Sequence, residues 1–280
     1  MLNGRHFRCV AALSIALGIS LPGSTAVDAP LAANLRDTGL FEDGSVERIR
    51  AANAPFTPHF PLWTDGQSKR RWIYLPPGTA IDKSDPDRWE FPRGTRAWKE
   101  FSAAGRVETR LIERLADGSW RFASYVWNAA GTEATLAPAG GLPGKGIPSR
   151  QDCLACHEGA PAPLLGFSAV QLGGAIAAKT AEERAALGYL HGNCGHCHNA
   201  CALEATGLFF AQSAVAPERS AVVTRASAAA HAPEILRRVR SANPYVRMPP
   251  LGVSVTDARG LETVEQWIHD QLQPSQEKQP

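Results

Sequence analysis

Methionine is almost missing from this chain: there are two in 280 residues, and one is the initiator. Net charge is missing too, with 29 Lys and Arg against 27 Asp and Glu. A near-neutral chain presents no basic face to a phosphate backbone, which argues against nucleic acid as a partner. Beyond the first 26 residues there is no long apolar run, so no transmembrane segment is expected in the remainder. No internal repeat is apparent apart from one doubled five-residue motif. What is present suffices for a folded protein: 44% hydrophobic and 20% charged residues can bury a core. The length allows one large domain or two ordinary ones.

The N-terminus reads as an export signal. Arg5, His6 and Arg8 form a basic head, residues 10–21 are apolar but too short to span a membrane, and Ser24-Thr25-Ala26 offers a small-x-small cleavage site. Cleavage after Ala26 predicts a periplasmic protein without Cys9. It also removes Arg5 and Arg8, leaving 27 basic against 27 acidic residues. The mature chain then keeps Cys153, Cys156, Cys194, Cys197 and Cys201, in a compartment where bare thiols tend to oxidise.

Four of these five cysteines fall into one arrangement. Residues 153–157 read Cys-Leu-Ala-Cys-His and residues 194–198 read Cys-Gly-His-Cys-His. Cys-x-x-Cys-His is the attachment signature of a c-type haem. Two thiols add to the two vinyl groups on one porphyrin edge, and the next His turns its imidazole to the iron. Two covalent haems are therefore expected, on Cys153/Cys156 with His157 and on Cys194/Cys197 with His198. The alternatives are disulfides or a structural zinc held by all four thiols. Zinc knuckles usually lie about 15–20 residues apart, whereas 37 residues separate Cys156 from Cys194.

Met248 sits before Pro249-Pro250 in a stretch that cannot be helical. One such Met, 50 positions beyond His198, suits an axial thioether better than a gap-filling core residue. Thr180-Ala181-Glu182-Glu183 reads as a capping box opening a helix into Cys194. After Met248, residues 257–272 place Leu261, Val264, Ile268 and Leu272 on one helical face. Residues 180–274 thus read helix, haem motif, variable loop, Met-Pro-Pro, helix. This order resembles a class I cytochrome c domain, whose first and last helices pack together around the haem. The resemblance implies that His198 is the proximal and Met248 the distal ligand of the second haem. Met248 serving the first haem is the alternative. With no further Met, the first haem takes a His, another side chain, water or nothing. His59, His191, His231 and His269 are the candidates, and His191 is preferred because it ends the helix that enters the second motif.

Residues 55–137 hold six of the seven tryptophans. Residues 107–111 and 120–122 alternate as strands do, with Asp117-Gly118 as a hairpin signal between them. Pro76-Pro77-Gly78 and Pro92-Arg93-Gly94 punctuate earlier strands. The expected fold class is α+β: an antiparallel, sandwich-like β-domain over residues 27–140, then an all-α cytochrome c-like portion over residues 141–280. The tryptophans are expected to fill the core. Taken with Trp72-Ile-Tyr-Leu-Pro-Pro-Gly-Thr79, Tyr125-Val-Trp-Asn128 and Arg247-Met-Pro-Pro-Leu251, the chain resembles proteobacterial dihaem cytochromes that carry an N-terminal β-region. That resemblance implies electron transfer between periplasmic redox proteins. The alternative is a dihaem peroxidase-like enzyme with an open first haem. Of the charge runs, Lys69-Arg70-Arg71 is expected on a solvated face, and Arg237-Arg238 with Arg240 near an exposed haem edge.

Overall fold

A computed structural model describes residues 29–202 and 206–272, so the expected signal and the polar tail after residue 272 lie outside the described residues. The described residues form a mixed α+β architecture, with six strands in one antiparallel sheet followed by five helices. Strands β1 (Ala54–Pro55), β2 (Ser68–Tyr74), β3 (Arg96–Ser102), β4 (Arg106–Arg114), β5 (Trp120–Trp127) and β6 (Ala134–Leu136) lie in chain order across the sheet. Short connections favour this order, since each strand pairs with the one just made. The Asp117-Gly118 turn joins β4 to β5 as expected: Asp117 accepts a 2.7 Å bond from the Ser119 amide, and Gly118 takes φ 92°.

The sheet is single, which corrects the sandwich expectation. One face packs Trp72, Trp98, Leu111, Tyr125 and Trp127 under Leu35, Leu40 and Phe41 from the N-terminal stretch. The other face presents Ile73, Ala97, Ile112 and Phe122 to Leu164 and Phe167. Both faces are already covered by non-sheet segments, so no second sheet is needed to bury them. Cover on both sides also explains why β4 buries Glu108 with Thr109 and Leu111 with Ile112, instead of every second residue. Trp72, Trp89, Trp98 and Trp127 are buried, in line with a core role.

Helices α1 (Arg150–His157), α2 (Ala169–Gly173), α3 (Ala181–Asn193), α4 (Pro217–Arg240) and α5 (Ala258–Leu272) follow, and no strand occurs among the described residues beyond Ile147. Helix α1 opens on a reciprocal cap. Ser149 Oγ accepts from the Asp152 amide at 3.1 Å, and the Asp152 carboxylate accepts from the Ser149 amide at 2.8 Å. The cap of α3 is only half the expected box. Thr180 accepts from the Glu183 amide at 3.1 Å, but Glu183 turns to the Lys179 amide and to Arg225 of α4, each at 2.5 Å. Helix α4 fills much of the stretch expected to be a loop. It buries Ala221, Thr224, Ser227, Ala228 and Ala232, residues too small or polar to give an apolar period, and it kinks at His231 ahead of Pro233. Helix α5 packs against α3 and α4, and Gly260 leaves room for the Tyr189 ring of α3. Among the described residues no helix is long and apolar enough to cross a membrane.

Candidate cofactor site

Helix α1 carries Cys153, Cys156 and His157, and spacings of three and four put them on one face. The second motif begins at the C-cap of α3, where the chain leaves the helix: the Cys197 and His198 amides both donate to the Cys194 carbonyl, at 3.1 and 2.8 Å. Buried Asn199 then ties the two motifs together. Its side-chain amide donates to Gly195 and His196 carbonyls at 3.0 Å, and to the Gly159 carbonyl, just beyond the first motif, at 3.2 Å. Gly159 permits this approach, because a Cβ there would lie 2.6 Å from that of Ala202.

The result is one cavity of about 1330 Å³ lined by all four motif cysteines, both motif histidines, His191 and Met248. Pockets for single drug-sized ligands run to about 1,000 Å³, so this one has room for more than one group. His59, His231 and His269 do not line it.

The four motif cysteines are free thiols, which removes the disulfide alternative for these pairs. The sulfurs of Cys156 and Cys197 and a ring nitrogen of His196 lie within 4.8 Å of one another. Cys156 is pushed up to about 12, first by its hydrogen bond to Cys197 and then by burial, while the same bond lowers Cys197. Burial raises Cys153, and takes Cys194 to about 12. Cys153 and Cys194 stand outside the three-residue cluster, so the four thiols do not converge on one tetrahedral centre.

The histidines divide by the nitrogen each has engaged. His157 Nδ1 lies 2.6 Å from the Pro163 carbonyl, which can only accept, so Nδ1 carries the proton and Nε2 keeps its lone pair. Desolvation lowers His157 to about 4, with nearby Lys99, His196 and Arg110 adding to the effect, and the ring is neutral at pH 7. A neutral imidazole bound through Nδ1–H to a carbonyl is the form that ligates metals. The Phe122 ring stands 5.1 Å from it. His198 has Nδ1 3.4 Å from Thr206 Oγ1 and Phe210 edge-on at 5.6 Å, and burial lowers its pKa. His191 is the opposite case. Its Nδ1 accepts from the Gln212 amide at 3.0 Å, so the neutral ring is protonated on Nε2, a buried atom with no hydrogen-bond partner. In that tautomer Nε2 has no lone pair to give a metal. The backbone of Met248 donates to the Arg238 carbonyl at 3.1 Å, which fixes its loop to the end of α4.

The first charge run departs from expectation at Arg71. Strand pleating splits Lys69-Arg70-Arg71 between faces. Arg70 pairs outward with Glu100 at 2.6 Å, whereas Arg71 is only 7% exposed and lines the cavity. Of the second run, Arg237 pairs with Glu234, Arg240 with Glu265, and Arg238 bonds the Val246 carbonyl at 2.8 Å. The Arg238 bond braces the Met248 loop, while Arg240 ties α4 to α5. Lys99 and Arg110 also line the cavity; β3 also carries Arg96, and β4 also carries Arg106 and Arg114, and no local pattern sets Lys99 and Arg110 apart from them.

This donor set fits covalently held haem: paired thiols at the attachment spacing, an adjacent imidazole in the ligating tautomer, and apolar walls from Phe122, Leu164 and Phe167. Comparison with protein-family models, with curated proteins and with solved structures finds no match to this chain. The functional reading therefore rests on the site.

Proposed function

We propose that the chain is a periplasmic dihaem c-type cytochrome that passes electrons between redox partners, with a class I cytochrome c-like unit over residues 180–274. One observation carries this reading. Two Cys-x-x-Cys-His motifs, 37 residues apart, converge on a single cavity, with Cys156 and Cys197 sulfurs within 4.8 Å. Bound haem supplies one-electron chemistry at its iron. The chain's own residues do the rest. Cys153, Cys156, Cys194 and Cys197 would hold the two groups, and the Pro163 carbonyl fixes His157 with Nε2 free to serve as a metal ligand. The Arg238 carbonyl holds the Met248 backbone at the cavity wall. With the Cys156 and Cys197 sulfurs this close, the chain would hold the two groups at neighbouring attachment points. The order of α3, motif, α4, Met248 loop and α5, with α3 packed on α5, supports the cytochrome c-like unit.

A dihaem peroxidase-like enzyme is the second reading, and the His191 tautomer favours it. With His191 engaged through Nδ1, the other cavity-lining histidines are His196, held in the sulfur cluster, and the two motif ligands. Among the described residues that line the cavity, no further histidine with a free ring nitrogen would then serve the His157 site, which would leave room there for an exogenous molecule.

The test is haem content of the periplasmically expressed protein, by pyridine haemochrome and intact mass. Two retained haems are expected, falling to one in both the Cys153→Ala/Cys156→Ala and the Cys194→Ala/Cys197→Ala proteins. A high-spin fraction that binds cyanide quickly and turns over peroxide supports the enzyme reading. A colourless protein, from a host that matures other c-type cytochromes, sinks both readings and directs attention to metal binding at Cys156, His196 and Cys197.

A further inference from the structure

The sheet face toward the cavity is ordered in rows. Ile73, Ala97, Ile112 and Phe122 are paired across β2, β3, β4 and β5, and form an apolar row that meets His157 through Phe122. Two residues along each strand, Arg71, Lys99 and Arg110 form the next row: Arg71 pairs with Lys99, and Lys99 with Arg110. All three line the cavity. Directly paired residues stand about 4.5–5.5 Å apart, and like charges so placed repel.

The row is short of anions. Arg110 is paired with Glu108. Lys99 lies over the Phe101 ring at 4.8 Å, and no salt bridge among the described residues involves Lys99 or Arg71. Arg71 is nonetheless 7% exposed. Desolvation lowers Lys99 well below its ordinary value and takes Arg71 down to about 10. A buried, unpaired cation destabilises a fold unless something compensates it. Apolar walls beside three cations in the cavity make a site for a group with an apolar body and an acidic edge.

We propose that Arg71, Lys99 and Arg110 together bind carboxylate inside the cavity. Two sources share this chemistry: the propionates of the haem held at Cys153, Cys156 and His157, and the carboxylates of a small organic acid. The first source rests on the haem reading above; the second does not.

The test uses the full-length protein as matured, with Arg71→Gln and Lys99→Gln, and with Arg70→Gln as a control of equal charge change on the opposite face of the sheet. Midpoint potentials are read by spectroelectrochemistry, and succinate binding by calorimetry and thermal shift. If propionates occupy the row, one haem's potential falls in Arg71→Gln and Lys99→Gln but not in Arg70→Gln, because lost positive charge beside the haem favours ferric iron. Succinate is then without effect. If a small acid occupies it, succinate binds the parent, each cavity variant weakens binding by about tenfold or more, and the potentials stay put. Neither effect overturns the proposal. A colourless protein ends the haem reading alone, since succinate binding is still measured on it. Both variants are expected to fold at least as well as the parent; failure of both to fold makes the row structural and also overturns the proposal.

Discussion

His157 and His191 line the same cavity, and each has its Nδ1 engaged by a backbone group, yet they are suited to different tasks. A carbonyl accepts from His157 and frees Nε2; an amide donates to His191 and puts the proton on Nε2. One backbone partner thus decides which ring can serve a metal. His191→Phe is therefore expected to leave the number of rapidly cyanide-binding haems unchanged, and a rise by one would make His191 a ligand after all. Met248→Ala is expected to raise that number by one and to lower the potential of the affected haem, since thioether ligation raises potential. Redox titration alongside cyanide binding reads both. The tautomers were not legible in the chain, because the partners Pro163 and Gln212 are ordinary residues whose backbone position depends on loop conformation.

Elements carry the site through their ends. Helix α3 starts at Thr180 and delivers Cys194 at its C-cap. Near its start, Glu183 has a side chain 2% exposed, paired with Arg225 of α4 at 2.5 Å. Burial pushes the Glu183 pKa up, but hydrogen bonds from Arg225 and the Lys179 amide, with the attraction of both cations, outweigh it and leave the pKa below 4.5. A carboxylate depressed in the folded state stabilises the fold above its unfolded pKa, and that stabilisation is lost as pH falls through the folded value. Thermal stability should therefore drop below about pH 4.5 in the parent, and Glu183→Gln should lessen this dependence. Near neutral pH the substitution is expected to cost about 1–3 kcal/mol; a melting-temperature series from pH 3 to 7 measures both. Thr180 and Glu183 were recognisable as a cap by spacing, but the turn of Glu183 toward α4 was not, because α4 had no apolar period to announce it.

At the scale of the molecule, sheet and helices are laced together by the segment between β1 and β2. His59 and Phe60 bond Gln171 of α2 through backbone and side chain, and the Trp63 amide donates to Asn193 at 2.7 Å. Asp65 then accepts from the Ser254 and Val255 amides at 2.9 and 3.0 Å, six and seven residues beyond Met248. Asp65→Ala is expected to loosen the Met248 loop and speed cyanide binding at the haem proposed to take Met248, with little change in melting temperature. Equal rates in parent and variant would show that the loop holds without this anchor.

The sequence by itself carried the proposed chemistry: covalent haem attachment would need thiols at fixed spacing and an adjacent His, and those are local facts of residues 153–157 and 194–198. It likewise determined the hairpin at Asp117-Gly118, the start of α3 and α5 as an amphipathic helix, because propensity, capping and period act within a few residues. Only the tertiary structure decided that the sheet is single, that the two motifs meet in one cavity, and that Arg71, Lys99 and Arg110 form a row on its wall. Those arrangements arise from pairing between strands and from loops closing over distances no local pattern spans, so physical contact, not sequence neighbourhood, sets them.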